Sequence, residues 1–516
     1  MNPAIGYAAV AGVSAVTALI GFYGLRVSRT TSDFYVASRT VAPWWNASAI
    51  GGEYLSAASF LGIAGLIMVS GIDGLWFPLG YTAGYLMLLL FVAAPLRRSG
   101  AYTLPDFAQS RLQSRRVRNV TSALVVVVGW FYIVPQLHGA ALTIRITTGL
   151  PSWVGAVAVV AVVCLTVMTG GMRSITFVQA FQYWLKLTAI AVPVIFVLLV
   201  LTAGARPVSD GGAAFSTTLN TVAPAGLYRN LSLMTALLFG TLGLPHVLVR
   251  FYTNPDGGAA RRTTLIVLGL LSVFYLFPTI YAVLGRIYLP ELATNGQADA
   301  TVLLLPGRLI GGAAGNVLSA LVIAGAFAAF LSTTSGLVVS LAGVVSQDLF
   351  GGTVRGFRIA AVLSALIPLA VALGTGSLAL AGSVSLVFAF TASTLCPLLV
   401  LGIWWRGLTD IGAIAGMLTG GILCAAAILA GSRLASSAPA SSPLAASTLA
   451  STQNPAGFWY QVLAQPAAWT VPVAFVVMIA VSLATKNRRP GGITRIMTRL
   501  HAPERPLGQA TVPAVE

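Results

Sequence analysis

The sequence predicts an all-α polytopic membrane protein with about thirteen transmembrane helices. Of 516 residues, 57% are hydrophobic and only 8% charged, whereas a soluble globular chain carries about 25% charged residues. Apolar runs of about 20 residues recur from end to end, each long enough to cross a hydrocarbon core of about 30 Å as a helix. The runs are continuous, and a transmembrane β-barrel would need short alternating segments instead.

Taken in order, the predicted spans lie near 4–26, 46–71, 74–96, 119–148, 152–170, 175–202, 229–250, 263–288, 311–345, 357–374, 377–404, 411–431 and 467–485. The first begins Met1-Asn2-Pro3-Ala4 without a basic leader, as expected for an N-out helix rather than a cleaved signal. The ninth is too long for a single crossing and is expected to extend beyond the bilayer or bend. Only Gly374-Thr375-Gly376 separates the tenth from the eleventh.

The basic residues orient the array. With the N-terminus outside, 23 of the 29 Lys and Arg residues fall on the cytoplasmic side, Lys186 and Arg250 counted among them. Arg145, Arg206, Arg229, Arg286, Arg308 and Arg433 fall outside. This is the positive-inside bias of a protein of the cell (inner) membrane with a cytoplasmic C-terminus. The net charge of +17 is spread over many cytoplasmic loops, which suits contact with anionic lipid rather than nucleic acid. Cys164, Cys396 and Cys424 lie within spans, at spacings that match no metal or redox motif. Residues 97–118 read as a basic amphipathic connection, 432–456 as an Ala/Ser/Pro-rich external loop, and 487–516 as a cytoplasmic tail. No nucleotide-binding motif and no nucleophile–base set appears, so a primary pump and an enzyme are both unexpected, and no cofactor is called for.

Two spans carry residues that lipid alone would not select. The second contains 50-IGGEYLSAASFLGIAGL-66, with Gly51, Gly52, Glu53, Tyr54 and Ser56 close together. A charge at the bilayer centre costs about 2.5–3.5 kcal/mol on insertion scales, and glycine weakens the helix at the same place. The glycines read in two ways, as close packing or as an unwound turn whose carbonyls hold a cation and whose N–H groups hold an anion. The seventh span contains 237-LLFGTLGLPHVLVRF-251, where Pro245 removes a donor and interrupts the helix. Interrupted helices at corresponding places in two halves mark the binding site of a secondary transporter. Spans two and seven each begin a group of five, which makes the second group an inverted repeat of the first. The expected organisation is an extra helix at 1–27, repeats at 28–203 and 204–405, two further helices at 406–486, and the tail.

A third stretch, 326-AFAAFLSTTSGLVVSLAG-343, puts Ala329, Ser332 and Thr333 on one helical face. A carbonyl and two hydroxyls there would form half of a small hard-cation site. The other reading has both hydroxyls bonding back to the preceding turn.

Together 32-SDFYVASR-39, 53-EYLSAASFLGIAGL-66, 103-TLPDF-107, 170-GGMRS-174, 240-GTLGLPHVLVRFYT-253 and 346-SQDLF-350 resemble the sodium:solute symporters, and within them the acetate permease or monocarboxylate branch. The resemblance implies a LeuT-like 5+5 inverted repeat with one extra N-terminal and two extra C-terminal helices. It implies a sodium site formed by the carbonyls of Gly52, Leu55 and Ala329 with the hydroxyls of Ser332 and Thr333. It also implies import of a small monocarboxylate with Na+ by alternating access, proton coupling or another small organic solute being the alternatives. The expected substrate contacts are Tyr54, Ser56, Gly240, Thr241 and Gly243, with Trp130, Tyr132 and Gln136 as walls or gates. Glu53, His138 and His246 are candidates for coupling or proton carriage, each histidine also reading as a plain interhelical bond, and Asp348 as a helix cap or partner of an Arg.

Overall fold

A computed structural model describes residues 3–27, 37, 40–204, 224–376, 379–437 and 455–502. Nearly all of 32-SDFYVASR-39, most of the 432–456 loop and the end of the tail lie outside the described residues. The described chain is helical throughout, with no strand among the described residues.

α1 (Pro3–Val27) precedes a broken second span, α2 (Pro43–Tyr54) and α3 (Ile63–Ser70), joined through a π-helical turn at Ala58–Gly62. α4 (Trp76–Phe91), α5 (Ala93–Ser99) and α6 (Leu104–Leu112) lead to the long α7 (Arg115–Thr148) and α8 (Trp153–Thr202). The second half opens with α9 (Pro224–Gly243) and α10 (Pro245–Phe251), followed by α11 (Gly257–Tyr288). Two short helices, α12 (Glu291–Thr294) and α13 (Thr301–Leu309), precede α14 (Gly312–Leu349), α15 (Val354–Gly374) and α16 (Leu380–Trp404). α17 (Asp410–Ser437), α18 (Pro455–Ala464), α19 (Ala467–Ala484) and α20 (Ile493–His501) complete the chain.

By length and apolarity ten helices can cross a membrane, or eleven when the bent pair α9–α10 is taken as one span. Two of the ten, Ala58–Phe91 and Trp153–Thr202, each contain parts of two of the expected spans. In α8 the division is at Gly171, whose φ of 53° and ψ of −154° turn the chain between two rods. The expected ninth span does not bend. α14 runs unbroken for 38 residues, about 57 Å at the helical rise, and so extends past the hydrocarbon.

The core is the packing of α14 and α2 against α8, and of α9 against α16 and α4. α2 is buried from Asn46 through Tyr54, and α14 continuously from Gly325 through Val344. Helices buried on every face leave no lipid-exposed side for polar groups, so each polar residue on them faces protein. This is how the fold brings the ionisable residues of spans two, six and seven to one place.

Candidate ion and substrate site at two broken helices

The two glycines do not break span two. Gly51 and Gly52 are helical, and the helix ends after Tyr54, at Leu55 (φ −72°, ψ 82°) and Ser56. Their role is close packing. A Cβ on Gly51 would lie 2.8 Å from the Tyr183 ring, and one on Gly52 would strike the Gln179 carbonyl of α8. Across α2, Gly336 of α14 leaves room for the Glu53 carboxylate. The expectation of an unwound turn at the glycines is therefore displaced by three residues, because the tight contacts hold that segment helical. Span seven breaks as its sequence suggests: Leu244 is extended (φ −67°, ψ 114°) before Pro245, and the two pieces meet at 47°.

Around the first break the five expected cation-site residues come together. The Ser332 hydroxyl donates to the Gly52 carbonyl (2.7 Å), with the Ala329 carbonyl of its own helix at 3.1 Å. The Thr333 hydroxyl donates to the Glu53 carbonyl (2.6 Å). Both readings of the hydroxyl pair thus hold in part, one back-bonding and both reaching across to α2. At the centre of these oxygens stands a residue the sequence reading had placed elsewhere. Lys186 of α8 directs its Nζ to the Gly52 carbonyl, to the Leu55 carbonyl (2.8 Å) and to the Ser332 hydroxyl (2.6 Å).

Beside this point Glu53 pairs with Arg250 (2.7 Å), both side chains 1% exposed. Arg250 also reaches the Thr176 hydroxyl (2.7 Å) and the Gln179 side-chain oxygen. The Gln179 amide nitrogen continues to the Ser332 carbonyl (2.8 Å). Gln179 therefore links the ion pair between spans two and seven to Ser332 of span nine, which Lys186 also holds. Removing one member of such a buried pair costs about 3–5 kcal/mol, because the survivor is left desolvated. Lys186 and Arg250 are both fully buried, so neither is the exposed loop charge that the cytoplasmic count takes it for: an ionisable side chain with buried protein partners belongs to the interior.

On the other side of the break lies an aromatic chamber. The Tyr54 hydroxyl shares a hydrogen bond with that of Thr241 (3.1 Å). The Tyr54 ring meets those of Tyr81, Tyr85 and Phe388 edge to face at 5.6, 4.5 and 6.5 Å. Tyr132 packs on Phe388 and on His246, and its hydroxyl faces Ser56. Tyr275 stacks on Tyr81 and pairs with the Ser59 hydroxyl (3.1 Å). Gln136 caps the break, its Oε1 accepting the N–H of Ala57 at 2.8 Å. Among the described residues the hydroxyls of Tyr81 and Tyr85 and both ring nitrogens of His246 are buried with no hydrogen-bond partner.

The remaining expected residues lie at the edge of this chamber or beyond it. Gly240 and Gly243 face α16, where a Cβ would crowd Phe388 and Thr391. Trp130 borders a groove with Val344, Leu363 and Ile367. His138 donates its Nε2–H to the Ala372 carbonyl (3.1 Å) beside an apolar cavity of about 380 Å³. Asp348 pairs with Arg118 (2.7 Å), which also holds Asp106.

Four chamber residues, Tyr81, Tyr85, Tyr275 and Phe388, were not expected, and their signal in the sequence is weak because aromatics fill most spans. Lys186, Gln179 and Thr176 carried a clear signal. They are polar residues at helical spacing within 175-ITFVQAFQYWLKLTAIAVPV-194, one stripe on an otherwise apolar helix.

The comparisons agree with this architecture. The model of the family described as SSF, the sodium:solute symporter family, matches residues 34–420. An uncharacterized symporter, YwcA, of Bacillus subtilis (strain 168) is 32% identical over 427 residues, covering 78% of this chain and 82% of the relative. Among solved structures, a Na+-coupled sialic acid symporter in a substrate-bound, outward-open state superposes with a TM-score of 0.67 at 16% identity, over 93% of this chain and 98% of the other. Mhp1, a nucleobase-cation-symport-1 family transporter in a closed conformation with bromovinylhydantoin bound, superposes with a TM-score of 0.52 at 14% identity, over 90% and 98%. The fold is thus the LeuT-like one that the family resemblance implies. With three quarters of its length matched and a multi-pass helical body, the chain belongs to the sodium:solute symporter family.

Proposed function

We propose that this symporter carries a small monocarboxylate, of the acetate, propionate or pyruvate class, together with a cation by alternating access. The observation that carries the proposal is the set of buried donors without protein partners, the Tyr81 and Tyr85 hydroxyls and the His246 ring, gathered around Tyr54 and Phe388. Buried polar groups are ordinarily bonded, and a carboxylate, which only accepts, suits hydroxyl donors. The rings supply an apolar wall for a methyl or ethyl group, and their close spacing limits the solute to a few heavy atoms. Charge points the same way. Among the described residues, the acidic and basic side chains of the network beside the first break are Glu53, Arg250 and Lys186, a set with one more basic than acidic group in a region where an anion is otherwise expensive. Tyr54, Ser56 and Thr241 would contact the solute, with Gln136 holding the turn.

The test is uptake of labelled acetate into proteoliposomes under an imposed sodium gradient and, separately, a proton gradient. Concentrative uptake under either, competed by propionate and pyruvate, is the expected result. Uptake under neither gradient, or competition only by larger or uncharged solutes, would overturn the monocarboxylate reading.

A further inference from the structure

At the point where the sodium site is expected, the oxygens are already engaged. The Gly52 and Leu55 carbonyls and the Ser332 hydroxyl surround one side-chain nitrogen, that of Lys186. A lysine ammonium has three N–H donors and no acceptor, and here three oxygens meet it. Two of those oxygens belong to the broken end of α2 and the third to α14, so the ammonium bridges span two and span nine. That bridge is the structural task a bound ion would perform, and carbonyls freed at a helix break are the ligands such an ion would use. A second cation cannot share the place, since its ligands are taken and its charge would face a like charge at contact distance.

The tether is built for this position. Lys186 lies two turns beyond Gln179 on the same face of α8, and Gln179 holds the Ser332 carbonyl at 2.8 Å, fixing the turn that presents the hydroxyl. Gly51 and Gly52 let α2 approach α8 closely enough for the side chain to reach both carbonyls. Thr333 secures the neighbouring Glu53 carbonyl, and Glu53 itself is committed to Arg250. The lysine is therefore the unshared positive charge of the region.

We propose that Lys186 is a resident, covalently tethered cation that replaces the free ion between spans two and nine, so that sodium does not bind at this point in the wild-type protein. It is a positioning residue for the transport cycle, holding the break of span two against span nine whatever the ionic composition of the medium. The proposal concerns this site alone and stands independently of which solute is carried.

Binding of radiolabelled sodium and thermal unfolding can be measured on the full-length protein in detergent, in sodium or choline chloride and with no solute present. The wild type is expected to bind no sodium at this point, so Ser332→Ala should leave unchanged both any sodium signal and any difference in unfolding temperature between the two salts. Lys186→Ala removes the tether but leaves the oxygens. It is expected to unfold at lower temperature in choline and to recover by several degrees in sodium, as a ligand that binds only the folded state must cause. Adding Ser332→Ala to Lys186→Ala should abolish that recovery. Sodium binding by the wild type that Ser332→Ala eliminates would overturn the proposal. So would a folded Lys186→Ala protein that gains no sodium binding. Should Lys186→Ala fail to fold, the wild type and Ser332→Ala still decide the question. Because no solute is involved, failure here is separate from failure of the acetate assay.

Discussion

On one side of the break at Leu55–Ser56, the polar groups of α2, α8, α10 and α14 are bonded to one another: Lys186 to three oxygens, Arg250 to Glu53, Thr176 and Gln179, and Thr333 to the Glu53 carbonyl. On the other side, a few ångströms away, the Tyr81, Tyr85 and His246 donors are buried without partners among the described residues. One break serves both sides, but the first is the more fully bonded, with one Glu53 carboxylate oxygen left over. The difference teaches that the residues most legible as an ion site are bonded to protein groups, while the unpaired donors belong to residues that look like ordinary packing. Substitutions on the first side should act on stability, and on the second mainly on transport.

The largest effect is expected from Glu53→Gln, which leaves Arg250 buried and unpaired. The loss should be about 3–5 kcal/mol, read as a fall in unfolding temperature in detergent. The double change Glu53→Gln with Arg250→Met should be milder than either single change, because no uncompensated charge remains; equal damage from the double would break the pairing assignment. Next is Gly336→Ala, whose new methyl presses on the Glu53 carboxylate. Overpacking of this kind costs about 1–3 kcal/mol, and Glu53→Asp, with its shorter side chain, should relieve part of it. On the chamber side, Tyr85→Phe removes a hydroxyl with no hydrogen-bond partner among the described residues. Stability should hold or rise slightly, whereas the apparent KM for acetate should increase by about fivefold to tenfold, the loss of one hydrogen bond of about 1–1.5 kcal/mol. A drop in stability with unchanged KM would move Tyr85 out of the chamber. The smallest effect belongs to His138→Ala and Trp130→Phe, which lie beside peripheral cavities. Both should leave acetate KM within about twofold, a change below roughly 0.5 kcal/mol.

The helical class, the approximate spans and the two interruptions were legible because each rests on a local cause: apolar run length, a proline at 245, a polar cluster in a lipid-compatible segment. The hydroxyls of Ser332 and Thr333 were legible for the same reason, since helical spacing alone puts them on one face. Lys186 was visible but was assigned by a global rule, the cytoplasmic excess of basic residues, when its place deep within an apolar span should have decided the matter. The aromatic chamber was not legible. Tyr81, Tyr85, Tyr275 and Phe388 come from three different spans, and nothing in the sequence of any one span tells an aromatic that faces the break from one that faces lipid. Gly240 and Gly243 read as solute contacts because they flank the break of span seven, and their close packing against Phe388 and Thr391 was not legible.

Gly171 turns α8 between two rods with a backbone conformation that side-chain-bearing residues rarely adopt. The second rod carries Thr176, Gln179, Tyr183 and Lys186, each of which touches the broken span, its partner helix or their ion pair. The aim of four side chains is thereby delegated to one residue that meets neither ion nor solute. A small change in that elbow would swing the rod as a lever and displace Lys186, some four turns away, farther than Thr176 at its root.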